Sequence, residues 1–295
     1  MSAAMSLEKP RRFSWWRRLK RRRSSLLAVL FLALVIGVAI FAPLVAPHDP
    51  NAQDLGRKLE PPFLMKGGSV EHLLGTDQLG RDILSRIILG SRVSLSVGIF
   101  SVAVSSGIGV VAGLLAGYFG ERLDTVIMRI ADVQLAFPGI LLAIAIIAVV
   151  GPSLRNLIVV LGITGWVTHA RVVRAQTMSL RQLEFVQAAR ALGLSDFWIM
   201  LRHVLPNVFA SILVIGTVQV GGFIVSEAGL SFLGLGVPLS TPTWGGMLND
   251  AQLYLSSVSW FALPPGLAIM ITVLSINLVG DLLRDLLDPK AKLNL

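Results

Sequence analysis

Apolar residues in this chain come in long runs separated by short polar stretches. At 1.5 Å per residue, roughly 20 helical residues cross the hydrocarbon of a bilayer. Runs of that order lie at Leu26–Ala46, Ser94–Tyr118, Val126–Val150, Leu154–Val173, Val208–Ser226 and Leu263–Val279. About six transmembrane helices are therefore expected, in an all-α polytopic membrane protein. Pro43 and Pro47 mark the exit of the first run, Pro138 bends the third, and Gly151-Pro152-Ser153 turns that third run back. Gly120 to Thr125 reads as a short cytoplasmic turn.

The intervals carry their own patterns. In LLGTDQLGRDILSRIILGSRVSL, Gly75-Thr76-Asp77 and Gly80 make turns, and Ile83, Ile87 and Ile88 follow at helical spacing. That pattern predicts an amphipathic membrane-surface helix ahead of the second span. Gly109, Gly113 and Gly117 recur every four residues and give the second span a smooth face, suited to close packing within the chain. The layout expected is a basic cytoplasmic arm at 1–24, a first transmembrane helix at 25–46 and an external segment at 47–91. A core of five more spans at 92–286 and a cytoplasmic tail at 287–295 follow.

Phe185 to Asn207, FVQAARALGLSDFWIMLRHVLPN, is the clearest polar, helix-patterned stretch between apolar runs. Gln187 to Leu192 favours helix, and Gly193 allows the positive φ that ends one. Ser195 and Asp196 offer oxygens to cap a second helix, and Pro206 suits the first turn of the next. Arg181, Arg190 and Arg202 lie among Phe, Trp and Met side chains, a mixture typical of protein–protein contacts.

Composition agrees with a membrane protein: 54% of the 295 residues are hydrophobic and 15% charged, where soluble domains carry about a quarter charged. The net charge of +9 does not point to nucleic acid, because nine of the 26 basic residues precede residue 24. These border the first apolar run, where the positive-inside rule and anionic lipid suffice as explanation. Both termini are then cytoplasmic, with Arg284, Lys290 and Lys292 marking the second. The chain has no cysteine, and its histidines at 48, 72, 169 and 203 show no close paired spacing, so no metal site is expected.

No lysine follows a glycine, so the chain holds no phosphate-binding loop and cannot itself hydrolyse ATP. It has no catalytic constellation either. Polar groups at bilayer depth are the remaining candidates. Asp132, within pairing reach of Arg129, is one; Gln134, Gln219 and Asn277 either line a pathway or bond between helices. Glu227 and Trp244 are candidates for the external face, Glu227 contacting a partner or fixing the loop after it. Asp281, Arg284 and Asp285 share one helix face as an ion-pairing set.

The Phe185–Asn207 segment resembles the signature of ABC-importer permeases, EAA, three residues, Gly, nine residues, Ile-x-Leu-Pro. Ala188, Ala189, Gly193, Leu205 and Pro206 fall in register, while Gln187 replaces the Glu and His203 the Ile. GTDQLGRDILSR, EAGLSFLGLGVPLSTPTWGGML and NLVGDLLRDLLDPK occur with it in the order of peptide/nickel-type permeases. The chain thus resembles the C-type permease subunit of a dipeptide or oligopeptide importer of the type I fold, in a prokaryotic inner membrane. The resemblance implies a related B-type permease, two cytoplasmic ATPases that bind ATP and Mg, and an extracytoplasmic solute-binding protein. It gives this chain no cofactor and makes the loop at 177–206 the ATPase-docking element, through Gln187, Ala188, Ala189, Arg190, Gly193, Leu194, Ser195, Arg202, His203, Leu205 and Pro206. Nickel and glutathione permeases share these motifs. An ion-coupled secondary transporter is the alternative of a different class, and it would place its ionisable groups near mid-membrane.

Overall fold

The computed structural model describes residues 23–287 except Leu239, with no side-chain description for residues 23 and 24. Most of the basic arm, with Lys290 and Lys292, lies outside the described residues. The elements are α1 (Arg23–Ile40), α2 (Ala42–Val45), α3 (Ile83–Phe119), α4 (Glu121–Leu135), α5 (Gly139–Val150), α6 (Leu154–Leu180), α7 (Glu184–Ala191), α8 (Asp196–Ile199), α9 (Leu205–Phe232), α10 (Trp244–Gln252) and α11 (Leu263–Leu287).

Four helical stretches are long and apolar enough to cross a membrane: Ile83–Phe119, Leu154–Leu180, Asp196–Phe232 and Ser259–Leu287. The expected third span is a broken one, since α4 and α5 meet at 87°. Pro138 sits at the N-cap of α5, where its missing N–H removes a helical bond and its ring excludes the preceding turn. The first apolar run forms the shorter helix α1.

The amphipathic helix expected ahead of the second span is not separate from it. Asp82 caps the helix by accepting from the Ser85 amide, and no proline lies between Pro62 and Pro138 to stop it. α3 therefore runs unbroken for 37 residues, about 55 Å at 1.5 Å per residue. Ile83 is fully buried and packs with Met247, Ala251 and Phe261 rather than lying on a membrane surface. The turn expected over Gly120 to Thr125 is shorter, because α4 begins at Glu121, which takes a φ of 44° beside Gly120 at 67°.

The glycine stripe packs inside the chain. A Cβ on Gly109, Gly113 or Gly117 would come within 2.5, 2.6 and 2.6 Å of the Trp166, Ala170 and Arg174 carbonyl oxygens. These partners also recur every four residues, so α3 and α6 touch backbone to backbone along three turns. Segments 47–82 and 244–262 cap the N-terminal end of α3, and α7 and α8 pack at its C-terminal end.

Candidate functional site

At the C-terminal end of α3, Val186, Ala189, Ile199, Val204 and Val208 are buried in one cluster with Tyr118 and Val173. This cluster fixes α7 and α8 to the bundle. Gly193 joins them at φ +84°, and nothing lies within 4 Å of where its Cβ would be. Its amide donates to Arg190 O at 3.0 Å and the Leu194 amide to Ala189 O at 3.2 Å, the paired bonds of a Schellman stop. Glycine is thus required here for its backbone angle and not for space.

Ser195 occupies the N-cap of α8 but its side chain makes no capping bond. Asp196 is engaged instead by Tyr118, whose hydroxyl donates to Asp196 Oδ1 at 2.6 Å. Arg190 donates to the Tyr118 hydroxyl at 2.8 Å, and its guanidinium carbon lies 5.2 Å from the ring centre. The Tyr118 bond holds Arg190 further above its ordinary pKa. Arg181 donates to Tyr118 O at 2.7 Å. A tyrosine at the end of a span thus ties together both halves of the segment. Sequence reasoning missed it; the one available signal is that the chain has only two tyrosines, one of them beside the glycine stripe.

The second helix does not end before Pro206. α8 continues through a π-helical turn, Met200–Val204, into α9, with the Leu205 amide reaching back to Met200 O. That shifted register carries the helix past Pro206, which has no N–H to give. On the outer face Phe185, Phe197, Trp198, Leu192 and Leu194 are exposed. Ala188, Arg202 and Gln187 are exposed too, Gln187 donating to Gln182 O at 3.1 Å, while Met200 is buried. The His203 and Phe185 ring centres lie 6.4 Å apart.

Among the polar residues expected near bilayer depth, Asp132 pairs at 2.7 Å with Arg171 and not with Arg129. Both side chains are half exposed. Asp124 is likewise held by Arg174. Gln134 donates to Thr164 O at 2.7 Å and accepts from Trp166 Nε1 at 2.8 Å, which makes it a bond between helices. Gln219 donates to Gly165 O at 3.1 Å and also borders an open groove of about 1000 Å3 with Thr168, Gln176, Ser179, Asn207 and Ser211.

Glu227 and Trp244 are buried inside the chain rather than presented at its surface. Glu227 is fully buried, accepting from Ser231 at 2.7 Å and Ser94 at 3.2 Å. Trp244 is 2% exposed and donates to Ile87 O at 3.0 Å. The 244–262 segment folds back over the end of α3, so length along α9 is a poor guide to exposure. There Asp250 receives Arg81 at 2.9 Å and Arg86 at 3.3 Å, and Asp77 binds the same two arginines. Arg57, hydrogen-bonded to Glu71, holds that carboxylate below its usual range. The cap also brings His48, His72 and Asp82 together, a meeting that the spacing of the histidines along the sequence does not show. The chain's fold-back, which no spacing rule reports, is the reason.

Residues 109–293 match the family model described as the binding-protein-dependent transport system inner membrane component. Residues 14–62 match the N-terminal TM domain of oligopeptide transport permease C. The chain belongs to the binding-protein-dependent transport family of permeases. It is an oligopeptide-permease-C-type, non-catalytic, multi-pass subunit of a bacterial inner-membrane ABC importer of the peptide/nickel type, a family that works with ATPase subunits and a binding protein.

The chain is 46% identical over 279 residues to the glutathione transport system permease protein GsiD of Pectobacterium atrosepticum, covering 94% of this permease and 91% of that one. It is 46% identical over 295 residues to the protein of the same description from Escherichia coli O6:K15:H31, covering 98% and 95%. Its fold matches an inward-facing crystal structure of the MetNI methionine ABC transporter at a TM-score of 0.56 and 19% identity, over 69% of this permease and 97% of that chain.

Proposed function

We propose that this permease forms, with a homologous B-type permease, the inner-membrane pathway for glutathione or a closely similar small peptide. A soluble binding protein delivers the solute at the Trp244 end. Two ATPase subunits drive the cycle from the α7–α8 end. The observation that carries the solute is the 46% identity to glutathione permeases over nearly the whole length of both chains. It supports glutathione, one of the alternatives, over the main expectation of di- and oligopeptides.

The groove beside α6 and α9, polar through Gln176, Ser179, Asn207, Ser211 and Gln219, supports a pathway wall that a second permease completes. The exposed Phe197, Trp198 and Arg202 support an ATPase contact, since aromatic and Arg side chains dominate docking energetics. The backbone stop at Gly193 and the Tyr118 clamp hold that surface rigid, which is what transmission of a push requires.

Uptake of radiolabelled glutathione by cells lacking this gene, with and without the gene restored, tests the solute. Restored uptake, competed by unlabelled glutathione but not by Ni2+ or longer peptides, is expected. Equal glutathione uptake with and without the gene contradicts it.

A further inference from the structure

We propose that His48, His72 and Asp82 form a binding site for a late first-row divalent cation, with Zn2+ the type case. His48 leaves the first apolar segment, His72 lies in the loop that follows, and Asp82 opens α3. Their ligating atoms lie within 4.8 Å of one another. His72 Nδ1 is 2.9 Å from Asp82 Oδ1, and His48 Nδ1 is 3.7 Å from Asp82 Oδ2. The two imidazole rings are centred 4.9 Å apart.

Two features mark a built site. The carboxylate is oriented from outside the cluster, because Asp82 Oδ2 accepts from the Ser85 amide at 2.8 Å and the Ser85 hydroxyl at 2.7 Å. The backbone amide of His48 donates to the same Ser85 oxygen at 3.0 Å. Such outer partners are what hold metal ligands in place. Secondly, His48 Nδ1 is buried and makes no hydrogen bond, although it points at the carboxylate. A buried ring nitrogen without a partner is costly, and a cation between the three residues would satisfy it.

Two imidazoles with one carboxylate is the donor set of open zinc sites, whereas Ca2+ and Mg2+ take oxygen ligands. Bonds of about 2.1 Å to a tetrahedral ion place its donors about 3.4 Å apart. Rotation of the His48 imidazole, whose side chain is one-third exposed, supplies that closure and leaves a solvent path for entry. His72 would carry its proton on Nε2 when its Nδ1 ligates. The bound ion would clip the exit of α1 to the start of α3. The site is independent of which solute the importer carries.

The test is titration calorimetry of Zn2+ into the tag-free full-length permease in lipid nanodiscs, with Mg2+ and Ca2+ as competitors. One Zn2+ per chain is expected, at micromolar affinity or tighter and without competition. His48→Ala leaves the His72–Asp82 bond intact and is expected to weaken Zn2+ at least tenfold. Electron paramagnetic resonance of the Cu2+-loaded wild-type protein should show two coordinating nitrogens. The absence of stoichiometric binding, unchanged affinity in His48→Ala, or fewer than two nitrogens on Cu2+ would overturn the site and leave a simple His72–Asp82 hydrogen bond.

Discussion

The Tyr118 hydroxyl is the smallest group on which the α7–α8 geometry rests, since it bonds Arg190 and Asp196 together. Tyr118→Phe keeps the ring in its apolar cluster and removes only that junction. A loss of about 1–2 kcal/mol is expected, read as weaker ATPase co-purification with unchanged insertion of the permease. Gly193 makes a different prediction. Because its surroundings are open but its φ is +84°, Gly193→Val suffers backbone strain of roughly 1–3 kcal/mol and no clash. Gly193→Ala should be milder, so ATP-coupled uptake is expected to fall in the order wild type, Ala, Val. The Gly193 role was legible in sequence, where a Gly follows a helix-forming run. Tyr118 was not, because its partners lie 72 and 78 residues away.

Helices follow the same division between local and distant causes. The α4–α5 break is local, written by Pro138, and the sequence reveals it. The stripe at Gly109, Gly113 and Gly117 is also visible as a period of four, but only the fold shows it laid against the carbonyls of Trp166, Ala170 and Arg174. Gly113→Leu must push α3 from α6 and is expected to lower the thermal midpoint of the purified permease, at a cost of about 1–3 kcal/mol. Gly107→Ala, with nothing within 4 Å of the added carbon, should be neutral or slightly stabilising through helix propensity. Equal melting of the two variants would remove the stripe from the packing. The outer cap was least legible. Turn residues foretold its bends, but the burial of Glu227 and Trp244 and the meeting of His48 with His72 come from chain reversal, which has no local periodicity.

For the molecule as a whole, hydropathy revealed the class and one polar segment the helix pair α7–α8, because both are properties of contiguous sequence. The solute was not written that way: the groove side chains Gln176, Asn207 and Gln219 favour no one small polar solute, and the proposal of glutathione rests on likeness to whole relatives. The central claim is that force enters through α7 and α8. It is tested most directly by purifying the complex through this permease, reconstituting it in proteoliposomes, and measuring ATP hydrolysis and solute uptake together for wild type and Gly193→Val. The coupling reading predicts ATPase chains in the preparation, uptake that requires ATP, and a variant that inserts normally yet loses both uptake and its ATPase partners. Uptake without ATP, or full coupling in Gly193→Val, would contradict it.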